Sequence, residues 1–213
     1  ELLSRQPPQI CQYLLRIAIL ERFCAPLCEA MGVSGAEAFS RELSGWEFIA
    51  WLKKENMFLI PLDAENRWFR FHHLFQKLLS NQLKRHFSAE DINVLHARAS
   101  AWFAENGLIE EAIRHALASG DVDGAAQLIE QLRQRMLNTD RWYVLEKWLS
   151  MLPDTVIQQR PELLLTQVWI HYFHFRLTLI PSVLDVAESL LSNKPKEKLL
   201  YGEICLCSGV FCF

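Results

Sequence analysis

Ile10, Tyr13, Leu14, Ile17 and Ala18 recur at three- and four-residue intervals, which predicts an amphipathic helix near the start of the chain. Pro7 and Pro8 suit its first turn, where a missing N–H costs nothing. A short helix is predicted over residues 26–31, stopped by Gly32. Ser44 fits the N-cap of the next, which carries Trp46, Ile49, Leu52 and Glu55. The period then shortens. Residues 57–62 and the aromatic run 67–71 read as two strands around a polar turn at 63–66, a hairpin. Helical spacing returns at Leu74, Leu78 and Leu79. Three helices, a hairpin and a closing helix make a winged-helix-like order.

From residue 89 onward the pattern is helical throughout. Leu95, Ala99 and Trp102 share one helical face, and Gly107 ends that helix. Ala112, Ile113, Ala116 and Leu117 start another, ended by Gly120, and Ala125, Leu128, Ile129 and Leu132 make a third. Two junctions share a grammar: an Ala stands five residues after the stopping glycine, at Gly107/Ala112 and at Gly120/Ala125. Further helices fit residues 141–151, 161–177 and 181–191, punctuated by Pro153 and Pro161. Short turns between helices of this length indicate a helical solenoid. The fold class is mainly α. A winged-helix domain with one β-hairpin occupies residues 1–88, and an antiparallel, TPR-like solenoid occupies residues 89–213.

Charge follows the same division. Residues 1–86 hold 11 Lys/Arg against 9 Asp/Glu, and residues 87–213 hold 11 against 16. The net charge of -3 gives the whole chain no footprint for nucleic acid. No apolar run reaches the ~18 residues that span a membrane. The six cysteines, Cys11, Cys24, Cys28, Cys205, Cys207 and Cys212, sit near the two ends. They lack the paired spacing of a zinc site and read as reduced core thiols of a cytoplasmic protein, with no metal site. The chain begins with Glu1, which leads us to expect a piece of a longer polypeptide.

Several segments carry a resemblance: Leu3-Ser-Arg-Gln-Pro-Pro8, Phe58-Leu-Ile-Pro-Leu-Asp63, Trp68-Phe-Arg-Phe-His-His-Leu-Phe75, Ala99-Ser-Ala-Trp-Phe103, and Glu111-Ala-Ile-Arg-His-Ala116. In order and spacing they resemble the MalT-like, LuxR-type ATP-dependent transcriptional regulators, members of the signal-transducing STAND ATPases. The resemblance covers roughly residues 1–190, and the aromatic-histidine block is its most specific part. It implies that the chain is the winged-helix arm and the start of the sensor. An ATPase module would precede it in the same polypeptide, a small-molecule or protein inducer would bind the helical repeats, and DNA would be bound only by a domain outside this chain. ATP or ADP would belong to that parent. No Gly-x4-Gly-Lys-Ser/Thr loop occurs here, so this chain has no nucleotide-hydrolysing site, no cofactor of its own and no expected enzymatic activity.

His72 is the candidate nucleotide-sensing residue. It stands where the second strand gives way to a helix, and a helix N-terminus favours a phosphate. In the resembling ATPases a winged-helix histidine followed two residues later by Leu contacts the nucleotide phosphate, and that pattern selects His72 over His73. His73 and Arg70 are the weaker candidates. On the other reading, both histidines are half-buried neighbours of Trp68, Phe69 and Phe75. A winged-helix DNA binder would use Arg67, Arg70, Lys53, Lys54, Lys77, Lys84 and Arg85, but residues 41–86 carry only 8 basic against 5 acidic groups. A plain interaction scaffold without nucleotide coupling is the other alternative. His171 and His174 could be taken for a metal pair. Their flanks, Trp169, Tyr172, Phe173 and Phe175, read better as an aromatic helix surface, either core or a recognition face, core being the commoner fate of such residues.

Overall fold

The computed structural model describes residues 8–32, 44–192 and 198–211; Pro7 and Cys212 lie outside them. It divides into two compact units, Glu1–Leu108 and Ile109–Phe213.

In the first unit, α1 (Pro8–Ile17), α2 (Ala25–Met31) and α3 (Gly45–Lys54) precede the hairpin strands β1 (Leu59–Pro61) and β2 (Phe69–Phe71), and α4 (His73–His86) and α5 (Ala89–Glu105) follow. Helix α3 starts as its sequence demands. Ser44 and Glu47 cap each other reciprocally, with backbone-to-side-chain distances of 3.2 and 3.0 Å. The next residue has to be glycine. A Cβ on Gly45 would lie 2.0 Å from the carbonyl oxygen of Ala25, so only glycine lets α3 begin against the first turn of α2. Phe23, Phe48, Phe69, Phe103, Leu14, Leu27 and Leu52 are fully buried and fill the core.

The hairpin pairs Leu59 with Phe71, Ile60 with Arg70 and Pro61 with Phe69. Its turn is closed by Asp63, whose Oδ1 accepts from the N–H groups of Arg67 (2.8 Å) and Trp68 (3.2 Å). Both strands are shorter than the hydrophobic runs suggest. Asn56 and Phe58 adopt positive φ (51° and 50°), so the chain only becomes extended at Leu59. The sheet also has a partner that the pattern does not announce. Phe23 bridges Phe69 through two backbone hydrogen bonds of 2.8 and 2.9 Å. A single residue of strand carries no period and is invisible to pattern reading. The unit extends beyond residue 88 because α5 packs against α2 and brings Trp102 edge-on to Trp68, 6.2 Å between ring centres.

In the second unit, α6 (Ile109–Ser119), α7 (Val122–Asn138), α8 (Trp142–Leu149), the short α9 (Asp154–Ile157), α10 (Pro161–Phe173), α11 (Ile180–Leu191) and α12 (Lys198–Phe211) follow one another. Helices α6, α7 and α8 pack in sequence, α9 lies against α7 and α10, α10 also reaches back to α7 and α8, and α11 packs between α10 and α12. Short connections make such neighbours antiparallel, the layout of a helical-repeat solenoid.

The junction grammar is real and wider than its glycines. From α5 onward four helix ends share one backbone device, which α3 also uses at Asn56: a left-handed residue follows the helix, and the next N–H bonds back to the carbonyl five residues earlier. The left-handed residues are Gly107, Gly120, Asp140 and Phe175. The bonds run from Leu108 to Phe103, Asp121 to Ala116, Arg141 to Met136 and Arg176 to His171, all 2.8–2.9 Å. Five residues after each stands a buried residue: Ala112, Ala125, Leu145 and Ile180. This device ends α10 at Phe173, earlier than the apolar run to residue 177 implies.

Candidate functional site

Alternation along β2 points Phe69 and Phe71 into the core and Arg70 out to solvent. Carried one residue further, it places His72 on the same side as Arg70. His72 is the N-cap of α4, a position normally held by Ser, Thr, Asp or Asn. Its backbone is fixed by a hydrogen bond from its own N–H to the Phe58 carbonyl (2.9 Å) and by one from the Gln76 N–H to its carbonyl (2.9 Å). Its Nδ1 accepts a long, 3.4 Å bond from the N–H of Leu74. In the neutral ring that assignment leaves the proton on Nε2, which has no partner among the described residues. The half-buried His72 therefore offers one N–H donor beside the first turn of a 14-residue helix. His73 is exposed, with its ring centre 4.3 Å from that of His72. The structure thus gathers His72, His73 and the strand neighbour Arg70 at one corner, and their supporting aromatics, Phe71 and Phe75, lie beneath in edge-on contact at 5.2 Å. The apolar side chains beside them on α4, Leu74 at 65% and Leu78 at 45% exposure, are unusually open to solvent.

Of the candidate DNA-binding cations, Lys53 lies over the ring of Phe69 (4.8 Å) and Arg67 pairs loosely with Glu65 (3.8 Å). Arg22, before α2, lies over Trp68 (4.7 Å). An open pocket of ≈ 280 Å³ between α3 and the hairpin is lined by Lys53, Asn56, Phe58 and Asn66 among others. Cys24, the N-cap of α2, and Cys28 within it are buried, and burial pushes both thiols above their ordinary pKa, which keeps them as inert protonated core groups.

In the second unit His171 and His174 do not act as a pair. His174 Nε2 meets the Glu146 carboxylate at 3.0 Å, whereas the buried Nδ1 of His171 has no partner. No group of three His, Cys, Asp or Glu residues able to hold a metal occurs among the described residues. The aromatics around them are mixed. Trp142 stacks on Phe173 (5.4 Å, 11°) and meets His174 edge-on (5.0 Å).

Sequence reading missed a buried polar network. Arg133, 5% exposed, donates from Nε to Thr166 Oγ1 (3.0 Å) and from its two terminal nitrogens to both oxygens of Glu203 (3.0 and 2.5 Å). Trp169 Nε1 donates to the same carboxylate at 2.9 Å. One acid of α12 is thereby fixed to α7 and α10. The only signal in the sequence is a lone Glu203 inside an otherwise apolar segment.

The sequence of the first unit matches a known family. Residues 1–91 fit the sequence pattern of the MalT winged helix domain. The segment is MalT-like. The likeness runs on beyond the winged helix domain into the helical unit. The chain is 31% identical over 164 residues to the HTH-type transcriptional regulator MalT of Yersinia enterocolitica, covering 76% of this chain and 18% of that protein. It is 27% identical over 205 residues to MalT of Yersinia pestis, covering 95% of this chain and 22% of that protein. It is also 33% identical over 163 residues to the serine/threonine-protein kinase PknK of Mycobacterium tuberculosis, covering 76% of this chain and 14% of that protein. The chain thus spans about a seventh to a fifth of the length of these relatives. Among the described residues, no helix is long and apolar enough to cross a membrane.

Proposed function

We propose that this chain is the regulatory segment of a cytoplasmic, ATP-dependent transcriptional activator. Its winged helix domain acts as an arm against an ATPase module elsewhere in the polypeptide, and its helical repeats begin the surface that senses an inducer. The observation that carries this reading is His72: a donor N–H at the head of α4, next to a face of α4 on which Leu74 and Leu78 lie bare. An apolar face beside a phosphate-compatible donor suits docking onto a nucleotide-bearing module. The similarity to a protein named as a kinase supports a segment that serves as a switch arm for different outputs. The chain itself contributes no catalysis, ADP or ATP belongs to the module, and DNA is contacted by a domain outside these residues.

The switch works by population. Whatever binds the active state better moves the equilibrium toward it, no further than its differential affinity allows. Replacing His72 by Ala in the parent removes one hydrogen bond to a charged group, worth about 1.5–3 kcal/mol. The resting state then weakens relative to the active one by roughly ten- to a hundredfold. In a reporter assay without inducer, His72→Ala gives partial activity at normal protein level, and His73→Ala gives less. Silence of His72→Ala at normal abundance assigns the histidine to the fold alone.

A further inference from the structure

The fourth helix-ending device breaks a local rule. Its left-handed position holds Gly at 107 and 120 and Asp at 140, residues that tolerate positive φ, but Phe at 175 (φ 57°). Phe175 is also 84% exposed, so its ring gains nothing from the core. A bulky residue that is strained and bare at once marks a place shaped by something other than folding. Its surroundings agree. Tyr172, at 38% exposure, precedes it on α10, and Tyr143, at 56%, heads α8 beside the Trp142–Phe173 stack. This is one aromatic surface, made by the start of α8 and the end of α10.

Two cations flank it. Arg141 precedes Trp142, and Arg176 follows Phe175; both are exposed and neither makes an ion pair among the described residues. Of the acids nearby, Glu146 is engaged by His174, which leaves Asp140 as the exposed one. Tyr, Trp and Arg are the residues that carry binding energy at protein interfaces. We propose that this surface docks an acidic peptide segment, with an apolar side chain seated against Phe175 and Tyr172 and carboxylates reaching Arg141 and Arg176. A second copy of the chain is the poorer occupant. A two-fold contact sets a patch against itself and would bring arginine to arginine.

The test uses the full chain and a synthetic twelve-residue peptide with a central Leu-Phe pair flanked by Asp and Glu. The control peptide carries Lys at the acidic positions. Calorimetry follows binding at low and high salt, and sedimentation follows self-association. The acidic peptide binds, more weakly as salt rises, and the Lys peptide does not. Phe175→Gly weakens binding roughly tenfold or more. That variant folds without difficulty, since glycine is the natural occupant of a left-handed helix end. Arg141→Ser with Arg176→Ser abolishes the salt dependence. Equal binding of both peptides, no binding up to about 1 mM peptide, or a dimer dissolved by Phe175→Gly each overturns the proposal.

Discussion

The two units solve the same problem, burying apolar surface behind a polar exterior, by different means. In the first, segments distant in sequence are joined through backbone and amide groups. Phe23 pairs with Phe69, and the Gln76 side chain donates to the carbonyls of Ala18 (2.6 Å) and Leu20 (2.7 Å) where α1 runs out. Aromatic rings fill what remains: Phe71 lies 4.9 Å from Phe23 and 5.2 Å from Phe75. In the second, neighbouring helices stack and ion pairs lock the seams. Arg160 holds Asp123 (2.6 Å) and Glu130 (2.9 Å), Lys147 holds Glu110 (2.7 Å), and Arg133 holds Glu203. Both units rest on a buried apolar core; long-range backbone and amide contacts fasten the first, and ion pairs fasten the seams of the second. The two kinds of fastening can be broken separately.

The largest effect falls on the buried pair. Arg133→Met leaves the Glu203 carboxylate buried without its partner, which costs about 3–5 kcal/mol. Hydrogen exchange quickens in α7, α10 and α12 and is unchanged in α1 to α4. The double variant Arg133→Met with Glu203→Leu recovers most of the loss, because an apolar pair of similar size replaces the ions. A single variant that costs no more than an exposed ion pair, about 0–1 kcal/mol, breaks the contrast between the units.

The next effect belongs to shape. Gly45→Ala drives a methyl group into the Ala25 carbonyl, where backbone on both sides resists displacement. Overpacking of this kind costs about 3 kcal/mol, and the protection lost is that of α2 and α3. Gly120→Ala in the second unit meets nothing within 4 Å and suffers only from its φ of +86°, a cost of about 1 kcal/mol. Chemical denaturation of the two variants ranks them, and equal midpoints contradict the ranking.

The contrast also explains what could be read in advance. The second unit was legible because a helix repeats its pattern over many residues: Ala112, Ile113 and Ala116, then Ala125 and Ile129, are all buried on the faces their spacing gives. Its recurring turn was half legible. Gly107 and Gly120 announce a left-handed residue; Asp140 and Phe175 do not, because their side chains do not require that conformation. In the first unit the caps were plain, Ser44 above all, while the single bridging residue Phe23 left no trace. At the candidate site, the sequence names His72, His73 and Arg70. The free Nε2 of His72 comes only from seeing where Nδ1 bonds. The Arg133–Glu203 pair joins residues 70 apart, a pairing that no local spacing encodes.

The smallest effect is a pH dependence shared by both units, and it tests whether their independence extends to titration. Burial lowers the pKa of His96 in the first unit below its ordinary 6.5. Burial, then the nearby charges of Arg176 and His174, lowers that of His171 in the second, with Glu146 opposing. A lowered pKa means that the folded state prefers the neutral ring. As pH falls below 6.5 the unfolded chain takes up the proton first, so the unfolded state is favoured. The stabilisation is complete at pH 7.5 and is lost as pH falls through the folded-state values. Thermal unfolding from pH 7.5 to 5.5, with hydrogen exchange to separate the units, shows both weakening toward acid. His171→Gln removes the acid sensitivity of the second unit and leaves that of the first, which His96→Gln removes in turn. If either substitution flattens the profile of both, the units titrate as one body, and the division between two separately fastened units gives way to a single cooperative structure.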